Sequence, residues 1–339
     1  MQHLKTYLKQ FYEKGLLSDT SIDDVKNINS IYPVLISKHI CNQINSTNSY
    51  GLARQFLPDI RELVDNDGAG AFFPEEKHTT ETLVQKYPNR CIIYTTSSCF
   101  ANCRHCSRKE KWKDNYTFSM SDFDQSCSEI SNSPYFDEVI LTGGDVLTNS
   151  DDIIDYMLNR LSQIPHIKVI RLGTRAFTSS PSRITDNLCK ILSKYDSLVI
   201  LTQFNHPDEF SEDTIKAIKR VQKTGCPILN QSVLLKGVND LYSVMKDLLT
   251  LCVHNRIIPY YLFHCFKIKG AQYMRTDVRV GYDIINKLVG TIGGWWIPRY
   301  TIIPNETGIK IPVCQNGIIK EFPNELIVTD FKGREFKYD

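Results

Sequence analysis

No apolar run in these 339 residues reaches membrane-spanning length, and the opening stretch Met1-Gln2-His3-Leu4-Lys5-Thr6-Tyr7-Leu8-Lys9 has no apolar core of signal-peptide length. A cytoplasmic protein is therefore expected, with no membrane partner. Charge of one sign is missing too. Forty Lys and Arg against 38 Asp and Glu leave a formal net charge of +2, so neither a nucleic-acid footprint nor a membrane-surface face is expected. The chain has no internal repeat and no low-complexity tract. It does not lack cysteine: there are 11, an odd number, and Cys41, Cys91, Cys127, Cys189, Cys226, Cys252, Cys265 and Cys314 are scattered. That scatter predicts reduced core thiols in a reducing compartment and no disulfide framework.

The other three cysteines are not scattered. Cys99, Cys103 and Cys106 stand at CxxxCxxC spacing within Ser97-Ser98-Cys99-Phe100-Ala101-Asn102-Cys103-Arg104-His105-Cys106-Ser107-Arg108-Lys109. Thiolates spaced this way converge from one short loop on a soft centre, which selects an iron–sulfur cluster or zinc. No fourth cysteine is close by. A structural zinc site normally closes with four protein ligands, whereas a [4Fe–4S] cluster on three cysteines keeps one iron open. His105 would complete a Cys3His zinc set, but zinc motifs usually deliver their ligands as two separated pairs.

Strand-like runs at 91–96, 138–141, 168–172, 197–201, 227–229 and 259–263 alternate with helical stretches such as 151–163, 185–195, 212–224, 241–253 and 279–289. This alternation predicts βαβ units and an α/β fold with a parallel sheet: six units, a partial barrel open on one side. Its functional loops are expected at the C-terminal ends of the strands. Residues 1–75 read as an N-terminal helical extension, from the spacing of Leu4, Tyr7, Leu8 and Phe11 and of Leu52, Phe56, Ile60 and Leu63. The turn-rich 66–74 marks the boundary, and 76–339 is the barrel.

The cysteine triplet directly after a strand resembles the radical S-adenosylmethionine (SAM) superfamily. Further motifs sharpen the likeness. Thr142-Gly143-Gly144-Asp145 resembles the superfamily's SAM-contacting turn, and the segments RLGTR, FNHP, NQSVLLKGVND and PYYLFHC follow in order. Together they resemble the lysine 2,3-aminomutases over about two thirds of the chain, from Tyr87 to Val313.

That resemblance implies a partial (β/α)6 TIM-like barrel of the radical SAM type and an isomerase that moves an α-amino group to Cβ. It implies a [4Fe–4S] cluster on Cys99, Cys103 and Cys106, together with SAM and pyridoxal 5′-phosphate (PLP). Lys310, in Gly308-Ile309-Lys310-Ile311-Pro312-Val313, is implied as the Schiff-base lysine, Arg90 as a phosphate contact and Arg108 as the anchor of the substrate carboxylate. Gly143, Gly144, Asp145, Arg175 and Gln231 are implied as cofactor contacts. The implied partners are a small-molecule amino acid and a reducing protein such as flavodoxin or ferredoxin.

Two positions depart from the family. Where lysine-acting members place aspartates that grip the distal ammonium, this chain has Phe266 and Ile303. Neither balances a buried cation, so an uncharged side chain is expected on the substrate, with Trp295 and Trp296 either walling the pocket or simply packing. Glutamate remains an alternative if Lys267, Lys269 or Arg299 turns inward. Lysine, or a different outcome such as deamination or desaturation, are further alternatives. A non-enzymatic iron–sulfur electron carrier or sensor and a zinc scaffold complete the set. Leu241 follows Asp240, and no cysteine lies beyond Cys314, so the zinc-binding cysteines of some family members are missing. No zinc is expected, and a homo-oligomer would be held in another way.

Overall fold

The computed structural model describes residues 2–64, 77–78, 82–305, 308–313, 318–322, 325–329 and 334–338. The segment 66–74 and Cys314 lie outside the described residues. One ten-stranded sheet organises the chain: β1 (Lys77–His78), β2 (Leu83–Tyr87), β3 (Arg90–Thr96), β4 (Glu138–Gly143), β5 (Val169–Gly173), β6 (Leu198–Thr202), β7 (Ile228–Leu234), β8 (Ile258–His264), β9 (Arg299–Ile302) and β10 (Ile311–Pro312), in that spatial order. Strands β3 to β9 pair in parallel, while β1, β2 and β10 are antiparallel at the edges. The six expected strands are β3 to β8. The sheet then continues through β9, which the sequence hides because Arg-Tyr-Thr-Ile is short and follows a turn of glycines and tryptophans. A separate antiparallel sheet spans Ile318–Phe322, Glu325–Thr329 and Glu335–Tyr338.

Alternation along β3 sends Cys91 and Ile93 outward into the core, leaving Arg90, Ile92 and Tyr94 on the concave face. Register sets Ile92 beside Ile140, Ile140 beside Arg171 and Arg171 beside Val199, so one layer of side chains crosses the barrel. Helices close the outside. Serine caps start Met120–Ser131, Asp151–Ser162 and Glu212–Gln222, with Ser119, Ser150 and Ser211 each accepting a backbone N–H. Their apolar stripes, such as Ile154, Met157, Leu158 and Leu161, are fully buried against the strands. Each such side chain contributes about 1.5–3 kcal/mol.

Residues 2–64 form five helices, Gln2–Glu13, Ile22–Ile31, Lys38–Thr47, Tyr50–Phe56 and Arg61–Val64. Phe11, Ile40, Ile44, Leu52 and Phe56 make a second core that takes in Ala101 and packs against Cys103 of the cysteine loop. Backbone bonds tie the same loop down: Asn102 N–H donates to the Leu35 carbonyl at 2.8 Å and Arg104 N–H to that of Gln55 at 2.7 Å. The helical extension therefore packs directly on the loop that carries the cysteines. No helix among the described residues is long and apolar enough to cross a membrane.

Candidate active site

A cavity of about 390 Å³ opens at the C-terminal ends of the parallel strands. Nine of the residues singled out from sequence line it: Cys99, Cys103, Cys106, Gly144, Asp145, Arg175, Gln231, Phe266 and Lys310. They come from the loops after β3, β4, β5 and β8, from β7 itself and from the segment leading into β10. Trp295 and Trp296 do not line it. They precede β9, where Trp296 meets His254 edge-on and Trp295 is 62% exposed, at the other end of the strands. Of the two readings of these tryptophans, packing and surface is the one the fold realises.

Burial pushes the thiols of Cys99 and Cys106 up, and the neighbouring cysteines add to the effect. A metal group must expel those protons on binding. His105 is buried, with its pKa pushed well below the ordinary value by desolvation first and then by Arg175 and Lys109. It does not join the thiols: its Nε2 lies 2.8 Å from Gln203 Nε2. Among the described residues no three His, Cys, Asp or Glu side chains close on a single metal position. A cluster needs no such point, because each thiolate meets a different iron.

The glycines after β4 are required by a close approach. Gly143 has φ +134, and a Cβ on Gly143 or Gly144 would overlap the carbonyl oxygens of Thr96 and Ser98 respectively. Gly144 and Asp145 N–H donate to those same carbonyls at 2.6 and 2.7 Å, so the turn is sewn to the entrance of the cysteine loop. Gly144→Ala should therefore cost at least about 2 kcal/mol, since backbone cannot move aside as a side chain can. A melting temperature and a bound-iron content both equal to wild type would contradict it. The carboxylate of Asp145 is spoken for, accepting from Leu147 N–H at 3.0 Å, Thr174 Oγ1 at 2.8 Å and Arg175 N–H at 2.7 Å. Burial raises its pKa while these bonds oppose the rise. It joins the β4 and β5 loops, and Gly144 and Asp145 are the residues of this turn that line the cavity.

The model of the radical SAM superfamily matches residues 93–248. The chain is 32% identical over 315 residues to the L-lysine 2,3-aminomutase of Methanococcus maripaludis, covering 91% of this chain and 73% of that one. It is 36% identical to the L-lysine 2,3-aminomutase of Clostridium subterminale (74% and 61%) and 33% identical to the glutamate 2,3-aminomutase of Clostridioides difficile (84% and 66%). The chain belongs to the radical SAM lysine 2,3-aminomutase family. It spans between 61% and 73% of the length of these three relatives. Membership of this family of isomerases implies a [4Fe–4S] cluster and SAM. Three thiols, a glycine turn and a cavity at one rim fit that pair. Two residues of the wall, His105 and Thr202, also carry a buried polar atom, Nδ1 and Oγ1, without a partner among the described residues.

At the other end of this aminomutase-family cavity the charge is positive. Lys310 Nζ stands 5.3 Å from the centre of the Tyr261 ring, 5.5 Å from Tyr87 and 5.8 Å from Phe263, and the backbone N–H of Lys310 donates to Tyr87 Oη at 3.0 Å. Burial lowers its pKa to about 8, and Arg90, Arg171 and Lys86 push the same way. Arg90 lies 3.8 Å over the Tyr87 ring and 4.0 Å from Glu138, which also pairs with Arg171. Two guanidiniums thus share one carboxylate. Arg108 donates its N–H to Cys106 Sγ at 3.3 Å, and its guanidinium covers the Tyr94 ring at 3.8 Å, on the concave side. Ile303 is partly buried against the apolar cluster that contains Val233, Phe263 and Met274.

Arg171 and Glu138 were not among the residues expected at the site. A signal for Arg171 existed: an arginine in the middle of a parallel strand can only point into the barrel, since the other face is core. Nothing in the local sequence marked Glu62, Gln55 or Glu209, whose cationic partners, Arg104 and Lys109 for Glu62 and Arg175 for the other two, are brought from elsewhere in the chain.

Proposed function

We propose that this chain is a PLP-dependent radical SAM 2,3-aminomutase that moves the α-amino group of an amino acid with an uncharged side chain to Cβ. The observation that carries the substrate class is the wall where the distal group of lysine would lie. Phe266 lines the cavity beside Phe263, and Ile303 is packed among apolar neighbours, in place of the two aspartates that the family resemblance assigns to lysine-acting members. A lysine ammonium there would find no counter-charge in Phe266 or Ile303, and burying it unpaired would cost several kcal/mol. The cations that would favour glutamate are all on the surface: Lys267, Lys269 and Arg299 are exposed.

Each residue then has a physical role. Lys310, whose burial lowers its pKa toward about 8 and so eases loss of its proton, would be the amine that carries PLP, and Arg90 and Arg171 would hold its phosphate through charge-assisted bonds. Arg108, stacked on Tyr94, orients the substrate carboxylate. Cys99, Cys103 and Cys106 hold the cluster, while the backbone of Gly143 and Gly144, with Arg175 and Gln231, cradles SAM. Ile92, Ile140, Leu201, Val233 and Phe263 exclude water from the reacting atoms. When bound, the reduced cluster and SAM supply a radical that abstracts and returns a hydrogen atom, and PLP carries the migrating nitrogen. The electron comes from a reducing protein of the flavodoxin or ferredoxin kind.

The test is an anaerobic assay of the reconstituted, reduced protein with SAM, PLP and all twenty amino acids, read by mass spectrometry. The expected result is an uncharged amino acid acquiring an isomer of unchanged mass, with Phe266→Asp lowering kcat/KM for it by about tenfold or more through a buried unpaired carboxylate. Isomerisation of lysine or glutamate instead would overturn the substrate class. Release of ammonia or loss of hydrogen would overturn the reaction.

A further inference from the structure

Arg175 makes contacts that binding a cofactor does not require. Its Nη1 donates to Cys103 Sγ at 2.8 Å, its Nε to the Gln203 carbonyl at 3.1 Å, and its Nη2 to Gln55 and to Glu209 Oε2, the latter at 3.0 Å. The guanidinium also lies 4.7 Å from the centre of the Phe56 ring. Glu209 is fully buried and cannot drift away, because Oε1 accepts the backbone N–H of Asn205 and of His206 at 2.7 and 2.9 Å and Oε2 accepts from Thr178 Oγ1 at 2.8 Å. A buried cation is thus held against one cysteine sulfur of the triplet by a buried carboxylate that never touches the sulfur.

Charge and hydrogen bonds at the sulfurs are what a protein uses to tune an iron–sulfur couple. The reduced cluster carries one more negative charge than the oxidised one. A guanidinium at its ligand therefore favours reduction, and a carboxylate behind that guanidinium opposes it, both strengthened by the dry surroundings.

We propose that Arg175 and Glu209 act as a pair of positioning residues that set the reduction potential of the cluster on Cys99, Cys103 and Cys106, with Arg175 raising it and Glu209 restraining it. This rests on those cysteines being cluster ligands, as proposed above. The step is a one-electron reduction in which the electron comes from an external reductant and no proton or bond is exchanged.

The experiment is an anaerobic redox titration of the reconstituted holoprotein, without SAM, using dithionite and mediators and following the reduced cluster by electron paramagnetic resonance. Arg175→Gln should disfavour reduction by about tenfold, ~59 mV for a one-electron couple, and Glu209→Gln should shift it the opposite way. If Arg175→Gln does not take up iron, Arg175→Lys, which keeps the charge and loses the planar fork, replaces it with a smaller downward shift. Opposite shifts support the pair, since a purely structural role would change cluster content without moving the potential in two directions. Unmoved potentials, or shifts of the same sign, with a normal cluster signal would overturn this proposal alone. A wild-type protein that forms no [4Fe–4S] signal would overturn the assignment of the cysteines and this proposal with it.

Discussion

Lys310→Ala is expected to abolish turnover, by about three orders of magnitude or more if Lys310 is the covalent catalyst proposed above, and to leave no PLP that borohydride can fix to the chain. The expectation comes from its surroundings. Three aromatic rings and two guanidiniums crowd the amine, so its charged form is disfavoured by burial first and by like charge second. The sign follows directly. A lysine whose pKa falls from 10.5 to about 8 offers its neutral, nucleophilic form above pH 8, where an ordinary lysine is still almost wholly protonated. Attachment of PLP to the cofactor-free protein should accelerate as pH rises through about 8 and then level off. A rate still climbing toward pH 10, or a borohydride-fixed peptide that does not contain Lys310, would show that another lysine does this work. Iron content should be unchanged in the variant, since Lys310 touches none of the cysteines.

Glu62→Ala is the substitution with the largest expected effect on stability. The Glu62 carboxylate is completely buried and pairs with Arg104, through Nε at 2.9 Å and through Nη2, and with Lys109 Nζ at 2.7 Å. Both cations are as buried as the acid, at 0% and 1% side-chain exposure. Desolvation lowers the pKa of Lys109 to about 8, and Glu62 resists that fall. Removing one partner of a buried pair costs about 3–5 kcal/mol, because the remaining charge is left dry and unpaired.

The loss should reach the candidate active site. Arg104 sits inside the cysteine triplet, and Lys109 also binds the carbonyl of Gly270, four residues beyond Phe266. The triad therefore joins the helical extension, the cysteine loop and the loop that carries Phe266. We expect Glu62→Ala to lower both the unfolding midpoint and the iron taken up on reconstitution. The triple variant Glu62→Met, Arg104→Met and Lys109→Met should recover part of the stability, since buried charges exchanged together for apolar groups of similar volume are often neutral. A Glu62→Ala protein as stable as wild type would show that water reaches the triad.

Much of this molecule can be read along the chain. Short β-branched and apolar runs placed β3 to β8, because strands buried on both faces must be nearly continuous in such residues. The serine-capped helices between them follow from a 3.6-residue stripe and a side-chain oxygen at its start. Strand β9 escaped because four residues cannot display a period. The cysteine spacing and the glycine turn were visible because both are short-range constraints: one loop must bring three sulfurs together, and one turn must pass too close to another backbone for any Cβ.

What the sequence by itself determined is the α/β class, the cysteine triplet, the glycine turn and the two apolar positions Phe266 and Ile303, since each is a property of spacing or residue type within one segment. Only the tertiary structure decided which charges meet. Arg171 reaches Glu138 across neighbouring strands, Arg175 reaches Cys103 and Glu209 from two directions, and Arg104 and Lys109 share Glu62. It also set Lys267, Lys269 and Arg299 in solvent and turned Trp295 and Trp296 away from the cavity. The reason is physical: a charge gains or loses several kcal/mol according to what lies within a few ångströms of it, and those neighbours are chosen by register and packing between segments far apart in the chain.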